Sequence, residues 1–268
     1  MEITILIDNN KEDLKYRTEH GLSILIEDSG YSILFDTGKT NAFIQNAVKL
    51  EKDLRNVDYV ILSHGHYDHT GGLEAFLKLN RKAKVILKKE ALQKKWSKSQ
   101  TIERNIGIQT QIKGERFIFI DSPLELFKDF WILPNIDRPK NQEYTDTYLF
   151  VEHNNSIYPD TFTDELFAIS IVDNELVVFT GCAHNGVENM LRTAIKHSHI
   201  NRINHIVGGT HLNRASTNQL NDTINALEQF DIKNASFNHC TGIHNIPKIN
   251  KQLAGNISYA YTGNVIRI

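Results

Sequence analysis

Ser63-His64-Gly65-His66-Tyr67-Asp68-His69-Thr70-Gly71-Gly72 is the stretch on which the fold is read. Before it, residues 57–62 (V-D-Y-V-I-L) are apolar and β-rich, which predicts a strand. After it, Leu73, Phe76, Leu77 and Leu79 recur at helical spacing and predict a helix starting near Gly71-Gly72. The stretch is therefore a loop at the carboxyl end of a strand, where open α/β sheets gather their ligands. His64 and His66 are two residues apart and can point the same way from an extended turn. Asp68 and His69 follow as the loop enters the helix. Imidazole and carboxylate together suit zinc first, with manganese or iron as alternatives. One such loop can feed two adjacent metals, the earlier pair to one and the later pair to the other. Four ligands do not fill two coordination spheres, so further donors must come from distant strand ends.

Working outward, residues 3–7 are an apolar run. Residues 22–27 and Tyr31–Phe35 flank Asp28-Ser29-Gly30 and predict a hairpin. A helix follows, with Phe43, Ile44, Ala47, Val48 and Leu50 on its apolar face and Thr40 or Asn41 as its cap. Residues 83–87 return as a strand. The same rhythm reappears late in the chain. Strands at Glu175–Thr180, 203–207 and 235–237 alternate with helices at 187–195 and 219–230. Each of these strands runs into a glycine-containing loop with a histidine: Gly181-Cys182-Ala183-His184, Gly208-Gly209-Thr210-His211, and Asn238-His239-Cys240-Thr241-Gly242. His184 and His239 are thus candidate metal ligands. His211, with no evident ligand role, is a candidate acid or oxyanion donor on the substrate side. His153, His197, His199, His205 and His244 lack the strand-end context and read as ordinary histidines. His20, before Gly21-Leu22, could border the site. Residues 114–173 break the rhythm, hold four of the five prolines, and read as an irregular inserted lid or substrate segment in a single domain spanning 1–268.

These motifs resemble the metallo-β-lactamase superfamily: His-x-His-x-Asp-His after a strand, with Asp36-Thr37-Gly38 upstream. More narrowly they resemble the branch around a dihydropterin-methyl-ribofuranosyl-aminobenzene phosphate synthase. The residues that carry this are Glu19 to Ser23, Gly181 to His184, Gly208 to Leu212 and His239 to Gly242. The resemblance implies an α/β fold, an αβ/βα four-layer sandwich, with one or two divalent metals at one edge. It implies a hydrolase using a metal-activated hydroxide on a small-molecule ester, a phosphate ester or phosphodiester by preference, with a planar group set against aromatics of the middle segment. Asp68 would both ligate and orient the water, and Asp36 would stand behind a ligand histidine and fix its tautomer. The chain departs from the family where most relatives place a bridging aspartate in Thr-Gly-Asp, since here the sequence is Thr180-Gly181-Cys182. Cys182 reads first as a small buried residue and second as a thiolate ligand. Whether His184 replaces a third histidine, the bridging ligand or neither stays open. Two other classes also stay open: an iron-dependent oxidoreductase of the same frame, and a binding or sensor protein with an idle metal site.

Composition narrows the field further. The 268 residues are 40% apolar and 23% charged, with a formal net charge of -2, as expected of a globular protein. No basic stripe marks a nucleic-acid partner. The lysine-rich run from Lys88 to Lys98 reads as a solvated helix face. No apolar run approaches membrane-spanning length, the first residues read as a strand instead of a signal peptide, and two cysteines make no disulfide framework. A small-molecule substrate in a reducing cytoplasm is the expectation, with the oligomeric state unspecified.

Overall fold

Five of the six residues of β1, Glu2–Ile7, are buried, as a strand inside a sheet requires. β2, Ser23–Asp28, and β3, Tyr31–Phe35, follow as the expected hairpin. Both loop residues, Ser29 (φ 51°) and Gly30 (φ 83°), are left-handed, as a two-residue hairpin loop of the primed type demands. These elements belong to a computed structural model that describes residues 1–99, 101, 103–139, 142 and 146–268. The chain divides into two compact units. The first is Met1–Ile120, Asp146–Asp164 and Tyr261–Ile268, and the second is Asp121–Thr145 and Glu165–Ala260.

In the first unit the chain continues through α1 (Ala42–Lys49), β4 (Tyr59–Ile61), the one-turn α2 (Tyr67–Thr70), α3 (Leu73–Leu79) and β5 (Lys84–Leu87). β6 (Lys95–Lys98), β7 (Glu103–Asn105) and β8 (Phe117–Phe119) come next. In the second unit lie β9 (Leu124–Phe127) and β10 (Phe130–Leu133). β11 (Leu149–His153) and β12 (Ser156–Pro159) return to the first. β13 (Phe167–Val172), β14 (Glu175–Thr180), α4 (Val187–Ser198), β15 (Arg202–Gly208), α5 (Thr217–Leu227), β16 (Asp231–Phe237), α6 (Ile246–Gln252) and β17 (Asn256–Tyr259) complete the second. β18 (Val265–Arg267) ends the chain in the first.

The first unit's main sheet has the order β18-β1-β2-β3-β4-β5-β8. Its first three pairings are antiparallel and its last three parallel. Phe43 and Ala47 of α1 and Leu73 and Phe76 of α3 pack with Leu6, Leu34, Val60 and Val85. Burying each phenylalanine contributes roughly 1.5–3 kcal/mol. Val48 departs from the expected apolar face and is 72% exposed, because the buried stripe of α1 runs through Ala42, Phe43, Asn46 and Ala47. Asn46 takes the inward place by donating to the carbonyls of Leu6 and Arg17 and accepting from the Arg17 amide. Asn41 is the N-cap and makes no side-chain cap bond, while Thr40, one residue earlier, accepts from the Ala42 amide through its Oγ1.

The second unit's sheet has the order β17-β16-β15-β14-β13-β10-β9, again three antiparallel and three parallel pairings. α4 packs on β14 and α5. α5 begins two residues earlier than expected because Ser216 caps it, accepting from the Gln219 amide. At the end of β15, Gly208 sits at φ 135°, and a Cβ there would come within 2.0 Å of the Thr180 carbonyl oxygen. Only glycine closes this strand end.

His205 on β15 is buried and shares a 2.8 Å hydrogen bond with Ser236. Burial depresses its pKa from 6.5 to about 4. The unfolded chain therefore binds the extra proton first. Stability should be complete above about pH 6.5 and fall as pH drops toward 4, by on the order of 3 kcal/mol from this group. Urea unfolding of His205→Gln across pH 4–7 should show a flatter acid limb than wild type.

Two sequence expectations change. Residues 114–173 are not irregular: they supply β8 through β13. Each strand is only three to six residues long, and together they are shared between the two units. The lysine-rich run is not a helix face either. After one 3-10 turn at Lys89–Leu92 it becomes β6, in a four-stranded sheet of order β12-β11-β6-β7. Lys95 is only 1% exposed, with its Nζ 2.7 Å from Asp160 Oδ2 and 2.8 Å from Asp164 Oδ1.

Candidate metal centre

In the first unit the donors gather at the carboxyl ends of β3 and β4. β3 ends at Phe35, and Asp36 follows with φ 59°, a left-handed conformation uncommon for aspartate and typical of constrained sites. Its carboxylate is fully buried. Oδ1 accepts from the Ser63 amide at 2.8 Å. Oδ2 accepts from Ser63 Oγ at 2.7 Å and lies 2.6 Å from His69 Nδ1. A carboxylate there keeps the proton on Nδ1 and turns the Nε2 lone pair of His69 outward. The Thr37 amide and hydroxyl both donate to the His69 carbonyl, at 2.7 and 3.0 Å. Gly71 and Gly72 let the loop lie on this strand end, since a Cβ on either would come within 2.2 Å of a carbonyl oxygen of Lys39 or Thr37.

His64, His66 and His69 are buried together. His64 Nε2 lies 2.9 Å from His66 Nδ1, and its ring centre is 4.5 Å from that of His66 and 4.3 Å from that of His69. Asp68 Oδ2 is 3.9 Å from His69 Nε2 and 3.1 Å from His20 Nε2. His20, placed only at the border by its sequence, is thus in contact with Asp68. Replacing Asp36 by asparagine keeps the shape but presents an N–H to one of its donor partners. Metal affinity or turnover should fall about 10–100-fold with little change in far-UV CD, as is usual when a group behind a ligand histidine is lost. A change under twofold in both would contradict this placement of Asp36.

In the second unit the three strand-end loops meet one another. The donor atoms of Cys182, His184 and His211 lie within 4.8 Å of one another, as do those of Cys182, His239 and Cys240. The rings of His184 and His211 are 4.2 Å apart. Ala183 (φ 58°), His211 (φ 53°) and His239 (φ 48°) are all left-handed, so all three loops hold strained backbone. Burial alone would raise the Cys240 thiol pKa. Hydrogen bonds from Cys182 and His211 and the nearby His239 and His211 rings outweigh it and hold the thiol well below its ordinary value. Of the histidines set aside, His153 and His244 are exposed at the surface and His205 is occupied by Ser236.

Two acids escaped sequence reasoning. In the first unit Asp164 Oδ2 accepts from the Gly65 amide at 2.7 Å, gripping the residue between His64 and His66. In the second, buried Glu165 accepts from the amides of His184 and Asn185 at 2.7 and 2.8 Å and from Asn185 Nδ2 at 2.9 Å. Burial raises the Glu165 pKa, opposed by His184 and these bonds. The available signal was an adjacent acid pair, Asp164-Glu165, placed directly before an apolar run at residues 166–169.

The family model of the metallo-beta-lactamase superfamily matches residues 16–225. The chain belongs to the metallo-beta-lactamase superfamily. Its fold is the α/β fold expected from the sequence, with several sheets, and the superfamily's divalent metals match a donor set rich in buried imidazole. The crystal structure of a metal-dependent hydrolase of the beta-lactamase superfamily is 31% identical, with a TM-score of 0.86, covering 100% of this chain and 99% of that one. An uncharacterised protein of Methanocaldococcus jannaschii is 30% identical over 99% of this chain and 100% of its own length. A 7,8-dihydropterin-6-methyl-4-(beta-D-ribofuranosyl)-aminobenzene-5'-phosphate synthase of the same organism is 27% identical over 93% of this chain and 90% of its own. Among the described residues no helix is long and apolar enough to cross a membrane.

Proposed function

We propose that this chain is a metal-dependent hydrolase of small-molecule esters, with a phosphate ester or phosphodiester as substrate. The observation that carries this reading is the buried imidazole cluster of His64, His66 and His69, backed by Asp36. Three imidazole rings packed this tightly with an outward Nε2 on His69 fit a divalent cation, zinc before manganese or iron. A family relative 31% identical is described as a metal-dependent hydrolase, and the product named for the synthase relative carries a 5'-phosphate.

When bound, such a metal supplies Lewis acidity and lowers the pKa of water from about 15.7 toward roughly 7. The protein's own groups do the rest. His64, His66 and His69 would hold the cation, and Asp36 keeps the proton of His69 on Nδ1. With a cation held there, Asp68, 3.1 Å from His20 Nε2, would orient a water and serve as the base for its proton. The second unit brings donors of its own, His184, His239 and Cys182, which would hold a cation there. His211, its ring tilted and 4.2 Å from that of His184, is the candidate acid of this second cluster.

The test is a substrate panel. Purified protein loaded with Zn, Mn or Fe(II) is assayed on a phosphomonoester, a phosphodiester and a lactone, with oxygen uptake followed in parallel. The reading expects metal-dependent turnover of a phosphate ester that is lost on chelation. Oxygen uptake with iron and no ester turnover would replace it with the oxidoreductase alternative.

A further inference from the structure

The second unit holds a cavity of about 60 Å³ beside His184 and His211, also lined by Arg138, Gln142, Glu188 and Gln219. It has room for a small polar head group. Glu188 stands in the first turn of α4 and is only 6% exposed. Its Oε1 accepts from Gln142 Nε2 at 2.8 Å, and Gln142 is fixed in turn because its Oε1 accepts from Asn189 Nδ2 at 2.7 Å. Glu188 Oε2 is buried with no donor among the described residues. A buried carboxylate oxygen without a donor costs free energy, more than a neutral group would. Natural sites keep such a group where a ligand completes it. Arg138, which also lines the cavity, is held by the carbonyls of Gln142 and His184. The lining therefore offers both an acceptor in need of a donor and a guanidinium suited to an anion.

We propose that this cavity recognises an amino group on the substrate, with Glu188 Oε2 accepting its N–H, so that the preferred ligands are amino-bearing phosphate esters. The phosphate half of this class rests on the hydrolase reading above. The amino half rests on Glu188 alone. A site built to bond a donor discriminates strongly against the analogue lacking it, because its own group is then left unpaired.

Calorimetric titration of the full-length, metal-loaded protein tests the proposal with two probes of matched size, 2-aminoethyl phosphate and ethyl phosphate. The wild type should bind the amino probe at least tenfold more tightly. Glu188→Gln, which keeps an acceptor toward Gln142 but no carboxylate, should bring the ratio close to one. If that variant fails to fold, Glu188→Asp, which withdraws the oxygen by one methylene, should lower the ratio in the same direction. Equal affinities in the wild type, no binding of either probe, or a preference that survives Glu188→Gln would each overturn the proposal. Turnover of a simple phosphate ester is read separately. Its loss with the amino preference intact would sink the hydrolase reading and leave this site standing.

Discussion

Lys95→Met should be the most destabilising single change in the first unit. Lys95 is held between Asp160 and Asp164, and all three side chains are essentially buried. Burial by itself would lower the Lys95 pKa, but the two carboxylates overcome it and hold the amine above its ordinary value. Burial would raise Asp164, and Lys95 with the Gly65 amide brings it below the usual carboxylate range. Removing the cation strands two buried carboxylates, a change that costs about 3–5 kcal/mol. For a chain of this size that lowers Tm by roughly 6–20 °C. It should also loosen the metal loop, since Asp164 then grips Gly65 without its counterion. Lys98→Met, in the same strand but only loosely paired with Glu103 at 3.3 Å, should cost under about 1 kcal/mol. Differential scanning fluorimetry of the two variants decides the matter. Equal Tm values would mean that the buried triad contributes little.

His66→Ala should remove turnover while leaving the fold in place. His66 sits at the N-terminal edge of α2, and its ring meets His64 and, edge-on at 6.3 Å, Phe162. Losing the ring removes a metal donor and leaves a cavity, which costs about 1–2 kcal/mol of stability, less than the lysine change. Loss of the metal removes the dominant source of rate, so kcat/KM on the best phosphate ester should fall at least about 10³-fold. Metal content measured by mass spectrometry on the same sample should drop in parallel. A variant that keeps its turnover would sink the metal-dependent mechanism.

Much of this was legible from the chain because the information is local. Strand-helix rhythm comes from periodicities of two and 3.6, and the strand ends carrying His64, His184, His211 and His239 follow directly from it. The hairpin at Ser29-Gly30 is written in its turn residues. What was not legible depends on pairing over long distances. Lys95 looks like one more surface lysine until Asp160 and Asp164, far along the sequence, are folded onto it. Asp164 and Glu165 act on backbone amides, which leave no mark on composition. Strands β8 to β13 are too short for alternation to stand out, although the left-handed pairs Asn154-Asn155 and Asp173-Asn174 mark the turns after β11 and β13. Val48 was misplaced because an amphipathic pattern does not anticipate a buried Asn46 satisfied by three backbone hydrogen bonds.

The most direct test of the central claim is anomalous diffraction from crystals of the metal-loaded protein, with data on either side of the Zn, Mn and Fe absorption edges. The account predicts an anomalous peak within bonding distance of His64 and His66, with Asp36 still bonded to His69 Nδ1. Full metal loading in solution with no peak at these histidines would contradict it.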